Sequence, residues 1–176
     1  MDVDDDHSVN DALQKLVAQS GRIDVVINNA GFGIAGAIED TTADEATAQL
    51  ATNFIGTHRV CRAVLPLMRA QGGGAIVNVS SNTTRMVIPG IGPYSATKCA
   101  LNQLSATARA EWAADGVVVS VVHPSVTATE FHQTLRAGSM RGGGRLVPEA
   151  PEVVARAILE AIRSGAAEVV VPPKQT

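Results

Sequence analysis

The sequence predicts an α/β fold, in which a parallel β-sheet is covered by α-helices on both faces. Short runs rich in β-branched residues alternate with helix-like segments of about ten or more residues, which is typical of parallel sheets with crossover helices. The runs are mostly apolar rather than alternating with polar residues, which suits strands buried on both faces. The predicted strands are residues 23–28, 75–80, 117–122 and 168–171.

The helices have recognisable start and stop signals. Val9 and Leu13 lie on one face of the first helix, which Gly21 ends. Thr42 and Glu45 form a capping box that begins the second helix. The predicted helices cover residues 8–20, 42–70, 94–114 and 151–164.

Proline and glycine mark the remaining features. Pro66 is expected to kink the second helix near its end, and Pro151 opens the last helix. The glycines at 72–74 predict a turn, and residues 82–93 an irregular loop. Residues 125–148 are predicted to combine a short helix with a mobile glycine-rich loop.

Composition restricts the classes of protein to consider. The 176 residues suit one domain with a hydrophobic core, and a net charge of −3 without a basic patch argues against a nucleic-acid partner. No apolar run reaches the length of a membrane span, and the acidic start has no apolar signal region, so we expect no membrane association and a cytoplasmic location. Metal ligands are not clustered, so we expect no metal site. Cys61 and Cys99 are isolated, and we expect both to be reduced and buried.

Tyr94, Lys98 and Ser81 form the most informative group of side chains. Tyr94 and Lys98 are four residues apart on a predicted helix, so they share one face. An ammonium close to a phenol favours the phenolate, so Lys98 is expected to lower the pKa of Tyr94 from about 10. Ser81 follows a predicted strand, at the sheet edge where open α/β sheets bind ligands. The three together predict a proton-transfer site, whereas the tyrosine and lysine alone could be a solvated pair.

Three further segments carry a family resemblance. They are Asn28–Gly31 (N-N-A-G), Asn53–Gly56 (N-F-I-G) and His123–Thr129 (H-P-S-V-T-A-T). Together with the serine, tyrosine and lysine, they resemble the short-chain dehydrogenase/reductase family in order and spacing over nearly the whole chain. The matching family segments are N-N-A-G, N-x-x-G, P-G-x-V-x-T and the catalytic Ser, Tyr and Lys.

The resemblance implies a Rossmann-like fold that binds NAD or NADP, with residues 1–176 as a single, partial domain. The family opens with a strand, a T-G-x-x-x-G-x-G loop and a helix, and these have no counterpart here. The start of this chain resembles the end of the family's third strand, so the fold is expected to be N-terminally truncated. Gly31–Gly36 fits the pattern G-x-G-x-x-G but is not that loop, because the next helix begins only at Thr42.

The resemblance also implies a role for each matching residue. Tyr94 would exchange a proton with the substrate oxygen, Lys98 would tune Tyr94 and bind the nicotinamide ribose, and Ser81 would orient the carbonyl. Asn53 would support a water relay. The implied catalytic residues are Asn53, Ser81, Tyr94 and Lys98, and the implied cofactor-binding residues are Asp2, Asn28, Ala30, Gly31, Tyr94, Lys98, Pro124, Thr127 and Thr129.

The implied partners are a small-molecule alcohol or ketone substrate and a second copy of the chain. In the family, the helices that correspond to those beginning near Thr42 and Tyr94 often form a homo-oligomer interface. Ser125 stands where the family has glycine, and serine tolerates close backbone approach less well. Packing against the nicotinamide is therefore expected to differ from that in the family.

Three functional interpretations remain open. In the first, the chain belongs to an oxidoreductase whose glycine-rich loop is encoded upstream of Met1. In the second, it is a catalytically inactive truncated fragment, because most pyrophosphate contacts are missing. In the third, it is a non-catalytic interaction module whose apolar edge strand at 23–28 pairs with another chain.

Overall fold

The computed structural model describes residues 1–129 and 147–173. Within these residues the chain forms one parallel sheet of four strands in the order β1-β2-β3-β4. The strands are β1 (Val25–Asn28), β2 (Gly74–Val79), β3 (Val117–His123) and β4 (Glu168–Val170). The α-helices are α1 (Asp6–Ser20), α2 (Ala43–Leu50), α3 (Thr57–Ala70), α4 (Gly92–Glu111) and α5 (Pro151–Ser164).

Helices cover both faces of the sheet. The larger core lies between one face and α1, α3 and α4, and includes Val9, Val64 and Ile76. On the opposite face, α5 packs on β2 and β3 around Val77 and Val122. The predicted fold class, a Rossmann-like parallel sheet with helices on both faces, is confirmed.

The predicted capping signals position the first two helices. The side chain of Asp5 accepts from the N–H of Ser8 and begins α1, and Gly21 ends it with a φ of +77°, a conformation that favours glycine. The capping box of Thr42 and Glu45 begins α2, with both of its hydrogen bonds present. These boundaries agree with the sequence-based prediction to within two residues.

The long helix predicted over residues 42–70 is interrupted, but not at the predicted position. A π-helical turn, Ala51–Gly56, separates α2 from α3. Pro66 lies inside α3, which continues to Ala70. π-Helical turns within α-helices occur often at functional sites, because the wider turn shifts the side chains on one face.

β1 forms one edge of the described sheet. Its side chains Val25 and Ile27 are 38% and 47% exposed, on the face away from the larger core. The contacts of α5 lie with β2, β3 and β4, so this part of the sheet remains uncovered within the described residues. An exposed apolar strand at a sheet edge is a surface on which another segment could pair.

The carboxyl ends of neighbouring strands lie together. Asn28 at the end of β1 pairs with Asn78 in β2. Ser81 and Pro124 follow β2 and β3, and the N–H of Asn82 donates to the backbone oxygen of Pro124 (2.9 Å). The predicted site segments therefore lie together at the carboxyl end of the sheet. The predicted short helix and glycine-rich loop, with Arg136, Arg141 and Arg145, lie outside the described residues except at their ends.

Candidate active site

Ser81, Tyr94 and Lys98 come together beside the carboxyl end of β2. Ser81 caps a 3₁₀ turn, Asn82–Arg85, and its side chain accepts from the N–H of Thr83 (3.2 Å). Tyr94 and Lys98 lie in the first two turns of α4 and are 9% and 5% exposed. The hydroxyl of Ser81 acts on the phenol of Tyr94 and favours its ionised form. The Nζ atom of Lys98 lies 5.9 Å from the centre of the Tyr94 ring.

Burial dominates the titration of this group. It raises the pKa of Tyr94 to about 12, and the hydroxyl of Ser81 opposes that shift. Burial also lowers the pKa of Lys98 to about 8. The direction for Tyr94 is opposite to the one predicted from the sequence. Removing both groups from water disfavours the charged form of each, a cost that sequence spacing does not reveal.

The ammonium of Lys98 lies between β2 and the loop after β1. Its Nζ donates to the backbone oxygen of Val79 (2.9 Å). A Cβ atom added at Gly31 would lie 3.5 Å from this Nζ and 2.8 Å from Oδ1 of Asn53. The second distance is too short for a real contact, so position 31 requires glycine. The backbone therefore passes directly beside two of the predicted catalytic side chains.

Asn53 is completely buried in the π-helical turn and holds the loop after β1. Its Oδ1 accepts from the N–H of Phe32 (3.0 Å), and its Nδ2 donates to the backbone oxygen of Phe32 (2.9 Å). The amide thus pairs with one residue of the loop as a neighbouring β-strand would. This pairing fixes the position of the preceding residue, Gly31.

Gln49 binds the same loop one helical turn earlier, through its side-chain oxygen alone, and the sequence analysis missed it. It is completely buried, and its Oε1 accepts from the N–H of Ile34 (2.9 Å). Gln49 and Asn53 are four residues apart on the helix and bind amides two residues apart in the loop. Two side-chain amides four residues apart lie on the same face of a helix. This spacing of Gln49 and Asn53 is the sequence signal that could have indicated their contact with the glycine-containing loop.

Thr97 is a second missed residue. It is 2% exposed, and its Oγ1 accepts from Nδ2 of Asn53 (3.0 Å) and donates to the backbone oxygen of Tyr94 (2.7 Å). The residue precedes Lys98 in α4. It therefore links the π-helical turn to the helix that carries the tyrosine and the lysine.

Asn28, predicted to bind cofactor, directs its side chain into the interior. Its Nδ2 donates to Oδ1 of Asn78 (2.8 Å), and Nδ2 of Asn78 donates to Oγ of Ser105 (2.8 Å). All three residues are buried. The chain of hydrogen bonds joins β1, β2 and α4, so the side-chain nitrogen of Asn28 has a structural role.

Ala30 and Asp2 lie near a small cavity at the exposed end of β1. The cavity has a volume of about 50 Å³, and its lining includes Met1, Val3, Asn29 and Ala30. Asp2 is exposed, and its Oδ1 accepts from the N–H of Asp4. Asp2, which was predicted to bind cofactor, therefore belongs to the segment that borders the N-N-A-G loop.

Pro124, Thr127 and Thr129 follow β3 at the same sheet edge. Pro124 accepts the hydrogen bond from Asn82 described above. Oγ1 of Thr127 donates to the backbone oxygen of Ser125 (3.0 Å), and Thr127 forms a β-bridge with Glu149. This segment is thus tied both to the Ser81 turn and to the approach to α5.

Both cysteines are free thiols, and only one matches the prediction of burial. Cys61 is buried, which raises the pKa of its thiol to about 12. Cys99 is exposed, because its side chain points away from the face of α4 that carries Lys98. Among residues 1–129 and 147–173, no three histidine, cysteine or acidic side chains are grouped as metal ligands. No helix in the same residues is long and apolar enough to cross a membrane.

The parallel sheet, with the predicted site residues at the carboxyl ends of its strands, defines a Rossmann-like protein, and comparison with known proteins identifies its family. The family model described as short chain dehydrogenase matches residues 1–139. The chain therefore belongs to the short-chain dehydrogenase family.

Individual relatives support the same assignment. A 3-ketodihydrosphingosine reductase of Bacteroides thetaiotaomicron is 39% identical over 142 residues, which is 81% of this chain and 53% of that protein. The oxidoreductase BOA17 of Botryotinia fuckeliana is 34% identical over 178 residues, which is 99% of this chain and 62% of that protein. The chain thus spans between about half and three fifths of the length of these relatives.

Solved structures of the family superpose closely. A short-chain dehydrogenase from Streptomyces avermitilis has a TM-score of 0.82 at 29% identity, covering 98% of this chain and 68% of that one. A gluconate 5-dehydrogenase from Burkholderia cenocepacia, in complex with NADP and tartrate, has a TM-score of 0.83 at 26% identity. The match covers 97% of this chain and 71% of the gluconate 5-dehydrogenase chain.

Proposed function

We propose that this chain is the catalytic part of an oxidoreductase that transfers hydride between NAD or NADP and a small alcohol or ketone. The observation that supports the proposal most directly is that Tyr94 and Lys98 are buried together, with the Nζ atom of Lys98 5.9 Å from the centre of the Tyr94 ring, next to the Ser81 turn. A phenol, a hydroxyl and an ammonium in one dry site supply a proton, orientation and positive charge.

Tyr94 acts as the proton donor when a carbonyl is reduced. With a pKa of about 12, its phenol is protonated at neutral pH, which is the form a donor needs. An alkoxide that develops on the substrate is a stronger base than a phenolate, so proton transfer from Tyr94 to the substrate is thermodynamically favourable. In the direction of alcohol oxidation, the same oxygen accepts the proton.

Ser81 and Lys98 stabilise the charges that the reaction creates. The hydroxyl of Ser81 favours the phenolate and so lowers the pKa of Tyr94. Lys98, with a pKa of about 8, is largely protonated at neutral pH. In a buried site its positive charge acts on the phenolate and the substrate oxygen with little screening. Asn53 holds the loop and the helix in register around both groups.

The residues around Gly31 fit a nicotinamide cofactor. An ammonium has three donors, and among the described residues Nζ of Lys98 bonds only the oxygen of Val79. The remaining donors suit ribose hydroxyls, and the missing side chain at Gly31 lets the loop backbone pass beside this ammonium and Asn53. When bound, the cofactor supplies or accepts the hydride. The other residues proposed to hold it are Asp2, Ala30, Pro124, Thr127 and Thr129, with the backbone of Asn28.

The test is hydride transfer by the full-length protein. We expect NADH or NADPH to be consumed when a panel of ketones is added, and to be formed from the matching alcohols, as measured by nicotinamide absorbance. A protein that binds neither cofactor and turns over no carbonyl would contradict the proposal, and would favour an inactive fragment or an interaction module.

We also propose that the protein self-associates through α3 and α4. A cavity of about 220 Å³ opens between these helices, and its lining includes Cys61, Leu65, Leu104 and Trp112. Leu104→Arg places a charge in this mostly apolar surface, and we expect it to lower the mass measured by sedimentation. Leu159→Arg, on the exposed face of α5, is the matched control and leaves the mass unchanged. An unchanged mass in both variants would exclude this interface.

A further inference from the structure

Thr97 joins three elements of the proposed active site through one hydroxyl. Its Oγ1 donates to the backbone oxygen of Tyr94 (2.7 Å) and accepts from Nδ2 of Asn53 (3.0 Å). The same nitrogen of Asn53 donates to the backbone oxygen of Phe32 (2.9 Å). The first turns of α4, the π-helical turn and the loop containing Gly31 are thereby connected.

The hydrogen bonds of the Thr97 hydroxyl are buried, so water would not replace them if they were lost. Thr97 is 2% exposed and Asn53 is 0% exposed. A hydroxyl supplies one donor and accepts as well, so Thr97 satisfies Tyr94 and Asn53 at once. If the hydroxyl were removed, an amide hydrogen of Asn53 would lose a buried partner, and the turn would be free to move relative to α4.

We propose that Thr97 is a positioning residue, whose hydroxyl holds the Asn53 turn against α4 and so sets the position of Tyr94 relative to Ser81 and Gly31. The kinetic consequence rests on the proposed function. The structural consequence does not, because the environment of Tyr94 can be measured without any reaction.

Ser105 provides a matched control on the same helix. It is 1% exposed, its Oγ donates to the backbone oxygen of Leu101 (2.7 Å), and it accepts from Nδ2 of Asn78 (2.8 Å). It therefore has the same chemistry as Thr97, about two helical turns further from the site. Ser105→Ala deletes a buried hydroxyl of α4 without touching the connection to Asn53.

The experiment compares Thr97→Val, Thr97→Ser and Ser105→Ala in the full-length protein, each shown by circular dichroism to be folded. Tyr94 is the one tyrosine of the 176 residues, and subtracting the spectrum of a matched Tyr94→Phe protein isolates its phenolate absorbance. We expect the midpoint of Thr97→Val to fall by about one pH unit or more as the ring becomes more solvated. Thr97→Ser and Ser105→Ala should titrate as the wild type does.

In the kinetic arm, we expect Thr97→Val to lower kcat for carbonyl reduction by about tenfold or more, because a misplaced proton donor slows the reaction. The KM for cofactor should change much less, and Thr97→Ser should restore kcat. The proposal would be overturned if Thr97→Val had the titration midpoint and the kcat of the wild type. It would also be overturned if Thr97→Ser, which retains the hydroxyl, were impaired as strongly as Thr97→Val. If the wild type itself reduces no carbonyl, the proposed function fails, and the titration still decides the role of Thr97.

Discussion

The ammonium of Lys98 lies 5.9 Å from the centre of the Tyr94 ring, and neither side chain is more than 9% exposed. Burial moves their pKa values in opposite directions, upward to about 12 for Tyr94 and downward to about 8 for Lys98. The site therefore rests at neutral pH as a neutral phenol beside a cation. This is the arrangement that donation of a proton to a developing alkoxide requires.

The titration of Tyr94 is a direct prediction from this burial. The difference in ultraviolet phenolate absorbance between the protein and its Tyr94→Phe variant follows this residue alone. We expect a midpoint near pH 12 in the folded protein without cofactor, against about 10 in the same protein unfolded by urea. A folded-state midpoint at or below that of the unfolded protein would show that the phenol is not buried as described.

Lys98 is predicted to make stability depend on pH. Its pKa falls from 10.5 to about 8 on folding, so below pH 8 the folded state carries the full cost of burying the charge. The cost is roughly 3 kcal/mol for a shift of this size, and it is released as pH rises from 8 to 10.5. Replacing Lys98 by Met removes this cost and should therefore raise the free energy of unfolding at neutral pH. The gain is reduced by about 1 kcal/mol, because the hydrogen bond to Val79 is lost.

The measurement is urea unfolding of wild type and Lys98→Met at neutral pH and near pH 10. The stability difference should shrink at the higher pH, because the wild type no longer carries the buried charge. Lys15→Met, at an exposed position of α1, is the control and should alter stability little at either pH. A Lys98→Met variant that is less stable than wild type at neutral pH, by an amount independent of pH, would contradict this prediction.

Gly31 is predicted to tolerate no side chain. A Cβ there would lie 2.8 Å from Oδ1 of Asn53, which is itself held by Phe32 and has little freedom to move. Gly31→Ala should destabilise the protein by about 1–3 kcal/mol, as overpacking does, and should weaken cofactor binding. The comparison is Gly92→Ala, where the added carbon would meet only the flexible side chain of Ile38 at 3.4 Å. Equal unfolding midpoints for the two variants would refute the close packing at position 31.

Local patterns in the sequence were enough to predict much of the fold and the centre of the site. The capping box of Thr42 and Glu45 and the terminating Gly21 involve residues close together in the chain, and both are present. The strands follow from β-branched runs. The proximity of the Ser81 turn to Pro124 follows from strand order, because the carboxyl ends of parallel strands lie at the same end of the sheet.

Other features depend on contacts between distant residues. The π-helical turn at Asn53 is coupled to hydrogen bonds with Phe32 and Thr97, which are 21 and 44 residues away in sequence. The pKa of Tyr94 is set by burial, which sequence spacing does not give. Cys99 was predicted to be buried from the average behaviour of cysteine, but its place on the outer side of α4 exposes it.

The most direct test of hydride transfer through Tyr94 is the rate of carbonyl reduction by Tyr94→Phe in the full-length protein, at saturating NADH or NADPH. The variant lacks only the phenolic oxygen. We expect kcat to fall by about 10²–10⁴-fold, the range for loss of a general acid, while cofactor binding measured by nicotinamide fluorescence stays within about threefold of wild type. A Tyr94→Phe variant that reduces carbonyls at the wild-type rate would contradict the assignment of Tyr94 as the proton donor.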